Sequence, residues 1–256
     1  MLIVISPAKS LDFETPPVTL EYTVPEFLEE SKKLVARLKK MSPGQLSKLM
    51  HISKDLGELN FQRYQNWSLP FTPENAKQAA LAFNGDVYQG LQAHSLTEEK
   101  LELAQKKLRI LSGLYGVLKP LDLIQPYRLE MGTKMNYYRS KDLYEFWNPQ
   151  LTKNVKKAVD ESGSPVLVNL ASREYFKSIN TKILKTEIIK PEFRDLRNGN
   201  YIIISFFAKK ARGLMTRFIL ENDIKKVSDL QAFDMDGYNF NPRMSQSNKP
   251  VFTRDK

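Results

Sequence analysis

The sequence contains no cysteine and only two histidines, His51 and His94. The first absence excludes disulfides, thiolate-ligated zinc or iron–sulfur centres and a thiol nucleophile. The second leaves no basis for a His-rich metal site, and no metal or cofactor is expected. No stretch approaches the roughly 18 consecutive apolar residues that a membrane-spanning helix needs, so no membrane partner is expected. The N-terminal run Leu2–Ile5 is too short for a signal peptide and has no basic segment before it, which points to the cytoplasm. No internal repeat, low-complexity linker or charge-segregated tail divides the chain. Residues 1–256 therefore read as one mixed α/β domain, expected to be a monomer.

Acidic residues are also in short supply. Against 39 Lys and Arg stand 29 Asp and Glu, a formal charge of +10. Such a surplus suits an anionic partner, with nucleic acid the first choice.

Several elements are readable from pattern. Leu2–Ile5 is a short apolar run consistent with a buried strand, stopped by Pro7. Phe27, Leu34, Val35, Leu38 and Met41 fall near one face of a helix. Ser42-Pro43 reads as N-cap and N1 of another helix reaching about His51, and Thr72-Pro73-Glu74 repeats that start signal. Thr97 opens a helix expected to continue to about Leu111. Gly113 to Gly132 reads mainly as ordered loop. Val166–Val168 is a buried-strand candidate. Ile183–Phe193 and Tyr201–Phe207 read as strands around Asn198-Gly199, a strong hairpin signal.

The run from Tyr201 to Ile219 carries the most information. An apolar, β-branched segment passes directly into a helical pattern. Advancing about 100° per residue places Lys209, Lys210, Arg212, Gly213 and Arg217 on one side. Ala211, Leu214, Met215, Phe218 and Ile219 fall opposite, where they can enter a core. A first turn at Lys209 would add unpaired backbone N–H groups and the positive end of the helix dipole, a combination suited to phosphate. Gly213 would let a backbone approach closely.

Other segments carry weaker signals. Met41–Trp67 can form two short helices around Leu56-Gly57-Glu58-Leu59-Asn60, in the manner of a phosphate-binding helix–hairpin–helix assisted by Arg63 and Lys54. Leu111–Gly116 is a second such candidate, with one residue too many and Pro120 in its second helix. Lys9 lies just past a buried strand, where α/β proteins commonly frame sites. There it suits a phosphate contact, or a Schiff-base nucleophile. Asn169–Lys177 is a similar strand-to-helix junction, with Ser172 as N-cap and Arg173 and Lys177 one turn apart. Arg128 and Glu130 share a Gly/Pro-rich loop, where Glu130 reads best as an ion-pair partner. No nucleophile–base pair and no Walker motif is present, so no catalytic residue is nominated.

Ten segments can be set apart as motifs: Ile5–Lys9 (ISPAK), Phe71–Ala76 (FTPENA), Gly85–Tyr88, Leu111–Leu118 (LSGLYGVL), Pro120–Leu123, Gln125–Gly132 (QPYRLEMG), Lys141–Tyr144, Asn169–Ser172, Glu174–Ser178 and Ala208–Met215 (AKKARGLM). By these segments the chain resembles the YaaA family of bacterial peroxide stress response proteins. The resemblance implies a single domain of unusual topology with a positively charged cleft. It also implies double-stranded DNA binding helped by a helix–hairpin–helix-like element, and protection from hydrogen peroxide by limiting unincorporated iron and DNA damage. A DNA-binding, non-enzymatic protector would contact phosphates through Lys9, Arg63, Arg128, Arg173, Lys177, Lys209, Lys210, Arg212 and Arg217. The alternative is a nucleic-acid-modifying lyase or glycosylase-like enzyme using Lys9 with Glu130 or Asp122. Direct iron storage on carboxylates such as Asp234 and Asp236 is disfavoured, because no repeated ligand motif supports it.

Overall fold

Leu2–Ile5 forms the central strand of a five-stranded sheet, and all four of its side chains are buried. Across the sheet the strands run Gly116–Leu118, Leu108–Ser112, Leu2–Ile5, Val166–Asn169 and Glu187–Ile189. Every pairing is parallel except that of Gly116–Leu118 with Leu108–Ser112. Parallel strands covered on both faces read as continuous apolar runs, which is why LIVI and VLV are interpretable without alternation. This is a computed structural model describing residues 1–255. It shows a single mixed α/β domain.

The chain leaves the central strand and reaches Leu108–Ser112 on one side. It later returns as Val166–Asn169 on the other. The strand order therefore reverses about Leu2–Ile5, and such reversals open a crevice at the strands' carboxyl ends. Helix Glu98–Lys107 packs on the two strands Leu2–Ile5 and Leu108–Ser112, and helix Gln150–Glu161 on Gly116–Leu118.

A second, four-stranded sheet is ordered Asn200–Ile202, Glu192–Arg197, Val251–Arg254 and Asn239–Phe240. Its hairpin turns at Asn198 (φ 49°) and Gly199 (φ 75°), the two positive-φ positions that an Asn-Gly turn supplies. Helix Ser205–Glu221 packs on strand Glu192–Arg197 and on the short helix Asp86–Leu91. It thus links the second sheet to the carboxyl edge of the first.

Several boundaries differ from expectation. Helix Glu98–Lys107 ends four residues early, and Leu108–Ser112 is a fully buried strand. A short apolar run suits a buried strand and a buried helix equally, and the place beside the central strand decides for the strand. Thr72-Pro73-Glu74 makes only a turn, closed by Asn75, whose side chain accepts from the Thr72 N–H at 3.0 Å. Ile183–Phe193 is broken into a helical turn, Thr181–Leu184, and two strands that belong to different sheets.

The helix–hairpin–helix placement is also corrected. Helices Pro43–Met50 and Lys54–Asn66 do exist, the first opened by a reciprocal Ser42–Gln45 capping box. Their turn falls at His51–Ser53, whereas Leu56–Asn60 lies within the second helix. Gly57 is consumed by the contact between the two helices, since a Cβ there would sit 2.7 Å from the Pro43 carbonyl oxygen. Asp55 occupies the first turn of the second helix, and its charge opposes a phosphate at those amides. The second candidate, Leu111–Gly116, is the end of one strand, a tight turn at Gly113–Tyr115 and the start of its antiparallel partner, with no helix in it.

Candidate functional site

The carboxyl ends of the two central strands deliver two loops side by side. Ser6–Lys9 follows the first strand and Leu170–Ser172 follows the second. The Ser172 N–H donates to Ser6 Oγ at 2.9 Å, which ties the loops together. Ser172 Oγ in turn accepts from the Tyr175 N–H at 3.4 Å and caps the turn Arg173–Phe176. The Tyr88 hydroxyl donates to the Ser6 carbonyl at 3.1 Å and fixes helix Asp86–Leu91 against the same loop.

These elements enclose a cleft of about 410 Å³. Its charged lining is Lys9, Lys209 and Arg212 against Asp86, Glu130 and Glu174. Cations and carboxylates are therefore equal in number, and the cleft is not lined by positive charge alone. Lys9 Nζ lies 2.9 Å from Glu130 Oε2, and an Arg128 terminal nitrogen (NH2) donates to Glu130 Oε1 at 3.0 Å. Lys209 Nζ lies 3.6 Å from Asp86 Oδ2. Glu174 Oε1 accepts from the Gly132 N–H at 2.8 Å. Burial pushes the hydroxyls of Tyr88 and Tyr175 well above their usual range, so both stay neutral phenols.

Two lining charges stand apart. The Arg212 side chain has no hydrogen-bond or ion-pair partner among the described residues, and burial pushes its guanidinium pKa down. Glu174 has no cation within ion-pairing distance among the described residues. Both side chains are only partly buried, and one cleft carries a cation and a carboxylate that are each without an ion-pair partner among the described residues.

The helix supplying Arg212 begins at Ser205, one turn earlier than expected. Lys209 and Lys210 therefore lie in its second turn, and the unpaired first-turn amides belong to other residues. Gly213 does admit a close backbone, and that backbone is the protein's own. A Cβ on Gly213 would lie 1.8 Å from the Val87 carbonyl oxygen, and one on Gly90 2.1 Å from that of Lys210. The helices Ser205–Glu221 and Asp86–Leu91 cross at these two glycines, which holds Arg212 and Lys209 over the cleft.

The four cations of this helix diverge. Lys209 and Arg212 enter the cleft, while Lys210 turns to Asp236 at 3.5 Å. Arg217 pairs with Glu221 at 2.7 Å and donates to the Leu91 and Gln92 carbonyls, both at 3.2 Å, at the end of the crossing helix. Arg128 reaches the cleft through Glu130. Arg63 sits near Arg128, and burial first, then that neighbouring cation, lowers its pKa. Arg173 is exposed beside the cleft, and Lys177 lies 4.6 Å over the Tyr144 ring in a separate shallow recess. Asp86 and Glu174 also line the cleft, and no sequence pattern marks them as site residues. Glu174 follows an N-cap serine, where an acidic residue is a common helix-start feature, and nothing else in its context suggested a ligand.

Among the described residues, no group of three or more His, Asp or Glu side chains could hold a metal ion, and no helix is long and apolar enough to cross a membrane.

A cleft lined by charged side chains at the strand-order reversal of a buried, mainly parallel sheet lies where open α/β folds place their sites. A family model described as peroxide stress protein YaaA matches residues 1–244, and the chain belongs to that family. Relatives that each carry the name UPF0246 protein match it end to end. That of Hahella chejuensis is 53% identical over 255 residues, covering 100% of both chains. That of Saccharophagus degradans is 56% identical over 254 residues, covering 99% of each. That of Cellvibrio japonicus is 53% identical over 256 residues, covering 100% of this chain and 99% of its own.

Proposed function

We propose that this peroxide stress protein binds double-stranded DNA through its phosphates, with Arg212, Lys9 and Lys209 as the contacts in the cleft and Arg173 at its edge. The observation that carries the reading is Arg212, a half-buried guanidinium facing the cleft without a counter-charge. A phosphate supplies that charge, and a guanidinium matches it through two parallel hydrogen bonds. The net charge of +10 draws the polyanion in over a longer range. Protection of DNA during peroxide stress follows from occupying it, and the implied effect on unincorporated iron belongs to the same proposal. With no cysteine in the chain, neither effect runs through a thiol.

The test is duplex affinity as a function of salt. Phosphate contacts release counterions, so the logarithm of affinity falls linearly with that of salt concentration. Arg212→Gln is expected to weaken binding on every duplex sequence alike and to reduce the slope by about 1. A slope unchanged by the substitution removes Arg212 from the interface, and salt-independent binding removes phosphate contacts altogether.

One observation bears on the lyase reading, the 2.9 Å contact of Lys9 with Glu130. A Schiff-base lysine needs a neutral amine in a desolvated place. The Lys9 side chain is 63% exposed and engages a carboxylate, which suits an electrostatic contact better than a nucleophile. Borohydride treatment on abasic DNA is expected to trap no adduct. A trapped adduct that Lys9→Ala abolishes would reinstate the enzyme.

A further inference from the structure

We infer that the cleft receives one nucleotide turned out of the bound duplex, its phosphate on Arg212 and an amino group of its base on Glu174. The inference rests on the DNA-binding reading and concerns what enters the cleft. Size is the first argument. The cleft holds about 410 Å³, within the roughly 300–1,000 Å³ typical of small-ligand pockets. A duplex, whose major groove alone is about 12 Å wide, can bring only its backbone phosphates to the cleft's cations, and its stacked bases stay outside. What fits inside is a single nucleotide.

Charge is the second argument. Phosphate alone would call for cations throughout, yet Asp86, Glu130 and Glu174 face the same space. Asp86 and Glu130 are engaged by Lys209, Lys9 and Arg128. Glu174 keeps one oxygen on the Gly132 N–H and has no cation within ion-pairing distance among the described residues. A carboxylate is a pure acceptor and matches the exocyclic amine of adenine, cytosine or guanine. Thymine carries no such amine. A ligand with an anion at one end and amino hydrogens at the other satisfies both open charges at once, and an extruded nucleotide has that chemistry. The neutral hydroxyls of Ser6, Ser10 and Ser172 line the same cleft and can meet the remaining polar edge.

The experiment uses the full chain and duplexes carrying 2-aminopurine, a fluorescent base with an exocyclic amine, at a central mismatch, where extrusion costs least. Anisotropy of an end label reports binding independently. Saturating protein is expected to raise the 2-aminopurine emission several-fold as the base leaves the stack. Glu174→Gln, which can still accept from Gly132, is expected to lose most of that gain at protein concentrations where anisotropy shows the duplex fully bound. Arg212→Gln is expected to lose the gain and to weaken binding as well. Binding by anisotropy with flat emission overturns the inference and leaves the DNA-binding reading standing. Emission that rises equally in both variants also overturns it, because the base then goes elsewhere. No binding by anisotropy overturns both.

Discussion

Two charged regions flank helix Ser205–Glu221, and they are built in opposite ways. Under its first turns, in the second sheet, Arg254 is 3% and Asp195 1% exposed by side chain. Arg254 Nε donates to Asp195 Oδ1 at 2.7 Å, and a terminal nitrogen of the same guanidinium (NH1) donates to Asp236 Oδ2 at 2.7 Å. The Tyr238 hydroxyl donates to Asp195 Oδ2 at 2.9 Å, and the guanidinium lies 4.5 Å from the rings of Phe207 and Tyr238. Each charge there meets its opposite. In the cleft, Arg212 and Glu174 both contribute to the lining, and neither forms an ion pair among the described residues. A paired ionic cluster couples elements of the fold. The two regions thus separate a structural use of charge from the ligand-binding use proposed for the cleft, within a single helix's reach.

The comparison breaks first at Arg254. Arg254→Met leaves the Asp195 carboxylate buried beside only a tyrosine hydroxyl, a situation that costs about 3–5 kcal/mol. Urea denaturation is expected to show that loss. Arg254→Met combined with Asp195→Leu is expected to recover much of it, since no lone charge then remains. A single-variant loss below about 1 kcal/mol would mean the cluster is no more structural than a surface pair.

Next in size is the glycine crossing that joins the regions. Gly213→Ala drives a methyl to within 1.8 Å of the Val87 carbonyl oxygen, and backbone cannot yield as a flexible side chain can. Overpacking of this kind costs roughly 1–3 kcal/mol. The helices must separate, and duplex affinity is expected to fall with stability because Arg212 and Lys209 move with their helix. Calorimetric unfolding together with anisotropy checks both. Lost stability with intact affinity would show that the crossing does not position the cleft.

Much of this arrangement was legible in the residues, and the failures share one cause. Leu2–Ile5, Val166–Val168, the Asn198-Gly199 turn and the Ser42, Thr97 and Ser172 caps rest on local rules, and they appear as read. The placement of Lys9 at a strand end and the pairing of Glu130 with Arg128 were likewise readable. Leu108–Ser112 was not, because its strand character comes from the neighbour it pairs with. The four cations of Ser205–Glu221 share a face by spacing alone. Their fates depend on Asp86, Asp236, Glu221 and the carbonyls of Leu91 and Gln92, and no periodicity in one segment reports what another brings to it. Spacing marks Gly213 as a place of close approach, and only the fold says that the approaching backbone is Val87.

Arg212→Gln is expected to leave stability within about 0.5 kcal/mol, since the side chain has no partner to lose, and to act on binding alone. The smallest effect on the fold and the sharpest test of the comparison lie at Lys9. Lys9→Gln removes the 2.9 Å contact with Glu130, but Arg128 still donates to that carboxylate at 3.0 Å. No charge is stranded. An exposed ion pair contributes about 0–1 kcal/mol, so the unfolding midpoint is expected to move little. Binding is a different matter, because Glu130 partly neutralises Lys9 in the free protein and an incoming phosphate must compete for it. The substitution is expected to weaken duplex binding less than Arg212→Gln does, and to flatten the salt dependence by a smaller step. The two slopes measured side by side rank a paired against an unpaired cation. Equal losses would show that pairing within the cleft does not govern its use. A stability cost at Lys9 approaching that at Arg254 would make the cleft a second structural cluster, and its open charges would then need another explanation.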